Sequence, residues 1–356
     1  MRAMIVRGAL AAPLLGCGVA QPSPSHAPGD DAGAAPPLRP SPEAAPEPTS
    51  SPAPAPSNEE TRLADAGSAP ASTFAPHDVG PVRAGGPDTD GKWTPVSVEG
   101  DAGAPLMWKT VLHPDKGHPS AELFVVVIDL SRARLHSAAG ESEPVTEVAS
   151  AKGQPRSGVV PAERRELLLA AFNGGWKGEH GHYGLKVDGV TLVKPREGAC
   201  TIAVYEDDSV RVAPWADLAD GEARMRLFRQ TPACMYAKGA RHAGLAVEAT
   251  TNWGAAANGD PVIRRSAIGL NEGRDALFFS VSNAMTAPAI ADGLHHAGAH
   301  DIAELDVNWS FPKFLVFGRN ASGVHEASSL FSGFVFTKNE YVRQRSARDF
   351  FYLSRR

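Results

Sequence analysis

Residues 122–130 read Glu-Leu-Phe-Val-Val-Val-Ile-Asp-Leu, a β-branched run closed at both ends by polar residues. Such a run is too short and too bounded for a typical helix, so it reads as a buried strand. Residues 132–136 are expected to continue this strand or to pair with it.

Outward from this run, turn signals recur at short intervals. The apolar stretch 167–172 stops at Asn173-Gly174-Gly175, a turn placed at a strand end. Residues 183–187 and 190–193 flank Asp188-Gly189, a strong hairpin signal. Residues 201–205 and 209–212 flank an acidic turn, and 266–270 and 276–282 flank a third. Thr286 is placed as an N-cap with Pro288 in the first turn, and Ile290, Leu294 and Ala297 form one apolar stripe before Gly298. That helix leads into a short strand at 302–306, and shorter helices are expected near 145–151 and 215–224. The fold class expected is α+β, a mixed and largely antiparallel β-sheet core with flanking helices.

The N-terminal third has a different character. Arg2 and Arg7 surround a short apolar stretch ending in Leu14-Leu15-Gly16-Cys17, the order of features in a secretory signal peptide. The ending resembles a bacterial lipobox, which implies lipidation of Cys17; a plain signal peptide is the alternative. Residues 18–95 hold 17 of the 30 prolines, too little apolar surface to offset chain entropy. The expected organisation is a signal peptide and lipobox over 1–17, a disordered Pro/Ala-rich tether over 18–104, and one folded domain over 105–356. Either reading of the signal puts that domain outside the cytoplasm, and the lipobox reading anchors it to the cell envelope by lipid alone.

The formal net charge is −5 and no lysine or arginine run occurs, which gives no footprint for nucleic acid. Cys200 and Cys234 are the remaining cysteines, open to bridging or to burial as free thiols.

Three segments carry candidate chemistry at strand ends. At Asn173-Gly174-Gly175-Trp176, adjacent glycines allow close backbone approach and free amides for an anion. At residues 264–270, which read RRSAIGL, an arginine entering a strand can offer a planar donor fork to phosphate or carboxylate. At residues 304–310, which read ELDVNWS, Asp306 stands near Asn308, Trp309 and Ser310.

In order and spacing, these segments resemble the phosphodiester glycosidase family, the uncovering-enzyme group. Asn173 to Trp176 matches its Asn-Gly-Gly-aromatic turn, Gly184 and Gly189 its next glycines, and Arg265-Ser266-Ala267-Ile268-Gly269 its Arg-Thr-Ala-hydrophobic-Gly strand. Leu305 to Ser310 matches its Leu-Asp-Gly-Gly-Gly-Ser, with Val307-Asn308-Trp309 in place of the three glycines. The resemblance covers roughly residues 120–340. It implies cleavage of a sugar-1-phosphodiester bond through an oxocarbenium-like state, with Asp306 as nucleophile, base or stabiliser. Arg265 and the amides of Gly174 and Gly175 would bind the departing phosphate, supported by Asn173, Asn308 and Ser310. Trp309 would stack on the sugar or fill the pocket, so an inactive glycan- or protein-binding module is the alternative. The expected partner is a carbohydrate or glycosyl-phosphate, without cofactor or metal. His180, His182, His295, His296 and His300 fit no zinc spacing such as HExxH, and no G-x-S-x-G elbow occurs.

Overall fold

A computed structural model of the protein describes residues 74–98, 104–247 and 249–356. The signal-peptide and Cys17 readings, and most of the tether, lie outside the described residues.

The β-branched run forms β3 (Leu123–Asp129), every residue of which is buried. Its side chains alternate between two cores, as the two-residue period of a strand requires. Phe124, Val126 and Ile128 face one core, and Leu123, Val125 and Val127 the other. β3 lies inside an eight-stranded sheet ordered β1-β2-β3-β14-β13-β15-β11-β12. Its other members are β1 (Thr94–Pro95), β2 (Met107–Leu112), β14 (Ala276–Met285), β13 (Ile263–Leu270), β15 (Asp301–Glu304), β11 (Tyr236–Ala237) and β12 (Ala240–Arg241).

A five-stranded sheet ordered β17-β16-β5-β18-β4 comprises β17 (His325–Ser329), β16 (Phe314–Arg319), β5 (Leu168–Asn173), β18 (Phe350–Arg355) and β4 (Ala133–Ala138). Another, ordered β7-β6-β10-β8-β9, comprises β7 (Val190–Val193), β6 (Leu185–Val187), β10 (Met225–Thr231), β8 (Cys200–Tyr205) and β9 (Val210–Pro214). Val126, Phe172, Ile202, Leu227, Phe279 and Phe351 represent all three sheets in one shared core.

All strand pairings within the sheets are antiparallel. The expected mixed α+β core is therefore corrected toward a mostly antiparallel β structure with few helices. The three hairpins stand where the turns placed them, with Asp188 and Gly189 both at positive φ, 45° and 82°. The expectation for residues 132–136 fails: β4 leaves the sheet of β3 and pairs with β18. Alternation identifies a strand but not its partner.

Beyond α1 (Gly244–Val247) and α2 (Ala249–Trp253), the main helix is α3 (Ala287–His296). Thr286 caps it by accepting a hydrogen bond from the Ala289 amide, and Pro288 occupies the first turn, where its missing N–H costs nothing. Ile290 and Leu294 pack on the β3 face formed by Leu123, Val125 and Val127. A Cβ at Gly293 would lie 2.6 Å from Leu123, so glycine sets how closely α3 approaches the sheet. The segments near 149–151 and 215–224 are 3-10 turns.

The described part of the expected tether is not free chain. Trp93, Val96 and Val98 are buried, β1 pairs with β2, and Asp90 is held 2.8 Å from His113. The folded unit thus begins well before residue 105. Proline-rich composition concealed the apolar anchors of this stretch, to which Phe74, Val79 and Val82 add partly buried contacts.

Candidate functional site

Antiparallel pairing brings the important strand ends to one place. Asn173, the last residue of β5, pairs with Phe350 at the start of β18. The start of β13 lies beside the ends of β14 and β15, through Ile263 with Met285 and Ala267 with Glu304. Hydrogen bonds then join the two groups of ends. Asn173 Nδ2 donates to Ser266 Oγ at 2.8 Å, Ser266 Oγ donates to the Asp306 carbonyl at 2.8 Å, and the Asp306 amide donates to the Gly174 carbonyl at 3.0 Å. The Asn-Gly-Gly turn, the arginine strand and the Asp306 segment therefore meet, although far apart along the chain.

Beside this junction opens a cleft of about 510 Å³, lined by Trp176, His180, Arg264, Asp306 and Trp309 among others. Asp306 is the one carboxylate among the described lining residues. Only 4% of it is exposed. Burial pushes its carboxyl up to about 6, Arg348 and the Asn308 amide pull against that rise, and Asp349 adds to it. Arg348 Nη1 lies 2.6 Å from Asp306 Oδ2, an ion pair buried behind the cleft. The guanidinium rests on the Phe311 ring at 4.5 Å.

Arg265 does not reach the cleft, which corrects its expected role as a ligand donor. Its five N–H directions are consumed by the carbonyls of Met285, Trp253, Gly254 and Pro261 and by the Glu304 carboxylate. Burial raises the Glu304 carboxyl and Arg265 works against the rise, 2.6 Å away. The pair is a structural clasp between β13 and β15.

The neighbouring arginine faces the cleft instead. Arg264 Nη1 donates to the Trp309 carbonyl at 2.7 Å, and Nη2 to Asn283 Oδ1 at 2.6 Å and the Gly333 carbonyl. Its Nε is buried with no partner, and among the described residues no carboxylate pairs with it. The guanidinium lies 3.7 Å from the centre of the Trp309 ring and 4.9 Å from that of Phe334. Burial lowers its proton affinity, yet an arginine stays charged.

The two glycines serve another purpose than the one expected. Gly174 N–H donates to the Asp349 carbonyl and Gly175 N–H to Asp349 Oδ2, so neither amide is free for an anion. A Cβ at Gly174 would strike Asp349, and one at Gly175 would lie 2.7 Å from the Arg229 guanidinium. Their missing side chains make room for the buried Arg229–Asp349 pair, bonded through both carboxylate oxygens at 2.8 and 3.1 Å.

Asn173 is likewise a strut, with its side-chain oxygen accepting from the Lys313 amide. Trp176 anchors its indole N–H on the Leu305 carbonyl and presents its ring to the cleft. Asn308 lines the cleft and Trp309 is 63% exposed beside it, whereas Ser310 lies just outside. Cys200 and Cys234 are joined by a disulfide, with Cα atoms 4.7 Å apart. Arg348, Asp349 and Arg229 escaped the sequence reading because no local motif marks them, and Arg264 because the next residue matched the family pattern. Among the described residues no three His, Cys, Asp or Glu side chains gather as a metal set.

No family model and no curated protein matches the chain. Solved structures give partial likenesses. The catalytic domain of zebrafish N-acetylglucosamine-1-phosphodiester alpha-N-acetylglucosaminidase, auto-inhibited by its pro-peptide, is 12% identical, with 74% of this chain and 88% of that one covered at a TM-score of 0.43. A hypothetical protein from Synechocystis is 11% identical over 70% and 62% of the two chains, TM-score 0.37. An exported protein from Burkholderia pseudomallei is 13% identical over 66% and 74%, TM-score 0.35.

Proposed function

We propose that the domain hydrolyses sugar-1-phosphodiester bonds in this cleft, as an envelope protein anchored through Cys17. The observation that carries the reading is Asp306: one buried carboxyl, with a proton affinity raised to about 6, in a cleft that also holds the carboxylate-free guanidinium of Arg264. The order of the sequence motifs supports it. A proton affinity near neutrality suits a group that takes a proton during the reaction.

In this reading Asp306 holds a water that attacks the anomeric carbon. The carbon–oxygen bond to phosphate breaks, its electron pair leaves with the phosphate monoester, and the water proton passes to Asp306. Arg264 faces the departing phosphate, and the exposed Trp309 ring offers a stacking surface for the sugar. The same exposed ring favours the second reading, a glycan-binding module without turnover. Incubating the domain with hexose- and N-acetylhexosamine-1-phosphodiesters and measuring free sugar separates them. Release of sugar that Asp306→Asn abolishes is expected; sugar binding with no release would favour the module.

A further inference from the structure

The cleft does not end at its own walls. It shares Val262, Asn283 and Ala284 with a second hollow of about 310 Å³. That hollow shares Glu122 and Phe124 with a third, of about 450 Å³, which is flanked by Lys92 and Lys109. Three cavities thus follow one another from Asp306 along the ends of β14 and β3 to strands β1 and β2. A run of contacts, largely buried, lies beneath this course. Trp309 covers Arg264 at 3.7 Å, Arg264 covers Phe334 at 4.9 Å, Phe334 meets Phe124 edge-on at 6.0 Å, and Phe124 stacks on Phe331 at 4.6 Å.

Charge is distributed along this path in a pattern. Arg264 stands at the catalytic end, and among the described residues no carboxylate pairs with it or with Lys92 or Lys109 at the far end. Asp90, which also lines the far hollow, is already engaged by His113 at 2.8 Å. Glu122, an exposed acid, lines both the middle hollow and the far one. Cations at both ends, with a middle hollow that offers Phe124 and Val262 beside the hydrogen-bonding groups of Ser120, Ser282 and Asn283, match a chain in which phosphates alternate with sugars.

We infer that the substrate is a linear glycosyl-phosphate polymer, bound along all three hollows, with one linkage at Asp306 and a later phosphate at Lys92 and Lys109. This inference rests on the hydrolase reading and narrows its substrate class. A small phosphodiester would fill the first hollow alone and leave the rest of the groove unused.

The test compares two sets of probes: methyl phosphodiesters of glucose, mannose and N-acetylglucosamine 1-phosphates, and tetramers built with the same linkages. The unaltered domain and a Lys92→Gln/Lys109→Gln variant are assayed on both. Higher kcat/KM on a tetramer than on its methyl diester is expected, with the variant losing about fivefold on the tetramer, in KM, and nothing on the diester. Equal loss on both probes, or no loss on either, would overturn the polymer inference while leaving the hydrolase standing. Turnover of neither probe by the unaltered domain would remove the hydrolase reading, and the inference with it.

Discussion

Arg264 and Arg265 are adjacent in β13 and point to opposite faces, Arg265 into a fully buried ion pair with Glu304 and Arg264 under the Trp309 ring at the cleft. One step along a strand reverses the side chain, and here it separates a clasp from a candidate ligand. Arg265→Met strands the Glu304 carboxylate in the core, and breaking a buried pair in this way costs about 3–5 kcal/mol. Arg264→Met leaves no buried acid unpaired and is expected to cost less than half as much, while lowering sugar release on the order of 100-fold. Urea unfolding and sugar release on both variants check this. A stable, inactive Arg265 variant beside an active Arg264 variant would reverse the assignment.

The raised Asp306 carboxyl predicts the shape of the pH profile. As a base it acts deprotonated, so kcat/KM is expected to climb with pH through about 6. Arg348 pulls that value down, so Arg348→Met is expected to move the rise to higher pH, whereas loss of a merely structural arginine would lower activity evenly at all pH. Stability carries the matching sign. The folded state holds the Asp306 proton more tightly than the unfolded chain, so this contribution is complete below about 4 and disappears as pH rises through about 6. Asp306→Asn should remove that dependence in urea titrations across the same interval.

Local signals were legible in the sequence, and pairings across the fold were not. The unbroken run of β3, the Asp188-Gly189 hairpin and the Thr286 cap each depend on a few neighbouring residues, and all three stand as read. Arg229 and Asp349 are far apart in the chain, and nothing near either residue announces the other. The partner of β4 was hidden for the same reason. The Asn-Gly-Gly turn shows a subtler limit. Its glycines did mark a close approach, but the approaching group is the chain's own ion pair rather than a ligand.

That reassignment of the glycines is testable. Gly174→Ala and Gly175→Ala each push a methyl into the Arg229–Asp349 pair, and displacing a well-packed buried group typically costs about 1–3 kcal/mol, more if the ion pair opens. The expected outcome is a lower urea midpoint for both variants. If the amides instead faced a bound anion, the variants would keep the midpoint and lose phosphate affinity.

Far from the cleft, His136 is buried among arginines, which predicts a contribution to acid sensitivity. Its ring stacks on Tyr352 at 4.8 Å, meets Ser354 Oγ at 2.9 Å, and lies within 3.4 Å of guanidinium nitrogens from Arg164 and Arg226. Burial first, then the charges of Arg226, Arg164 and Arg134, pull its proton affinity from 6.5 down to about 3. The unfolded chain therefore binds a proton that the folded one refuses. Stability is expected to fall as pH drops from about 6.5 toward 3, by on the order of 4 kcal/mol for this group alone. His136→Gln keeps an acceptor for the arginines and cannot take up the proton. Its midpoint in urea should be lower than that of the parent near pH 7 and should decline less as the solution is acidified. Parallel decline of the two proteins would show that His136 is already protonated in the fold.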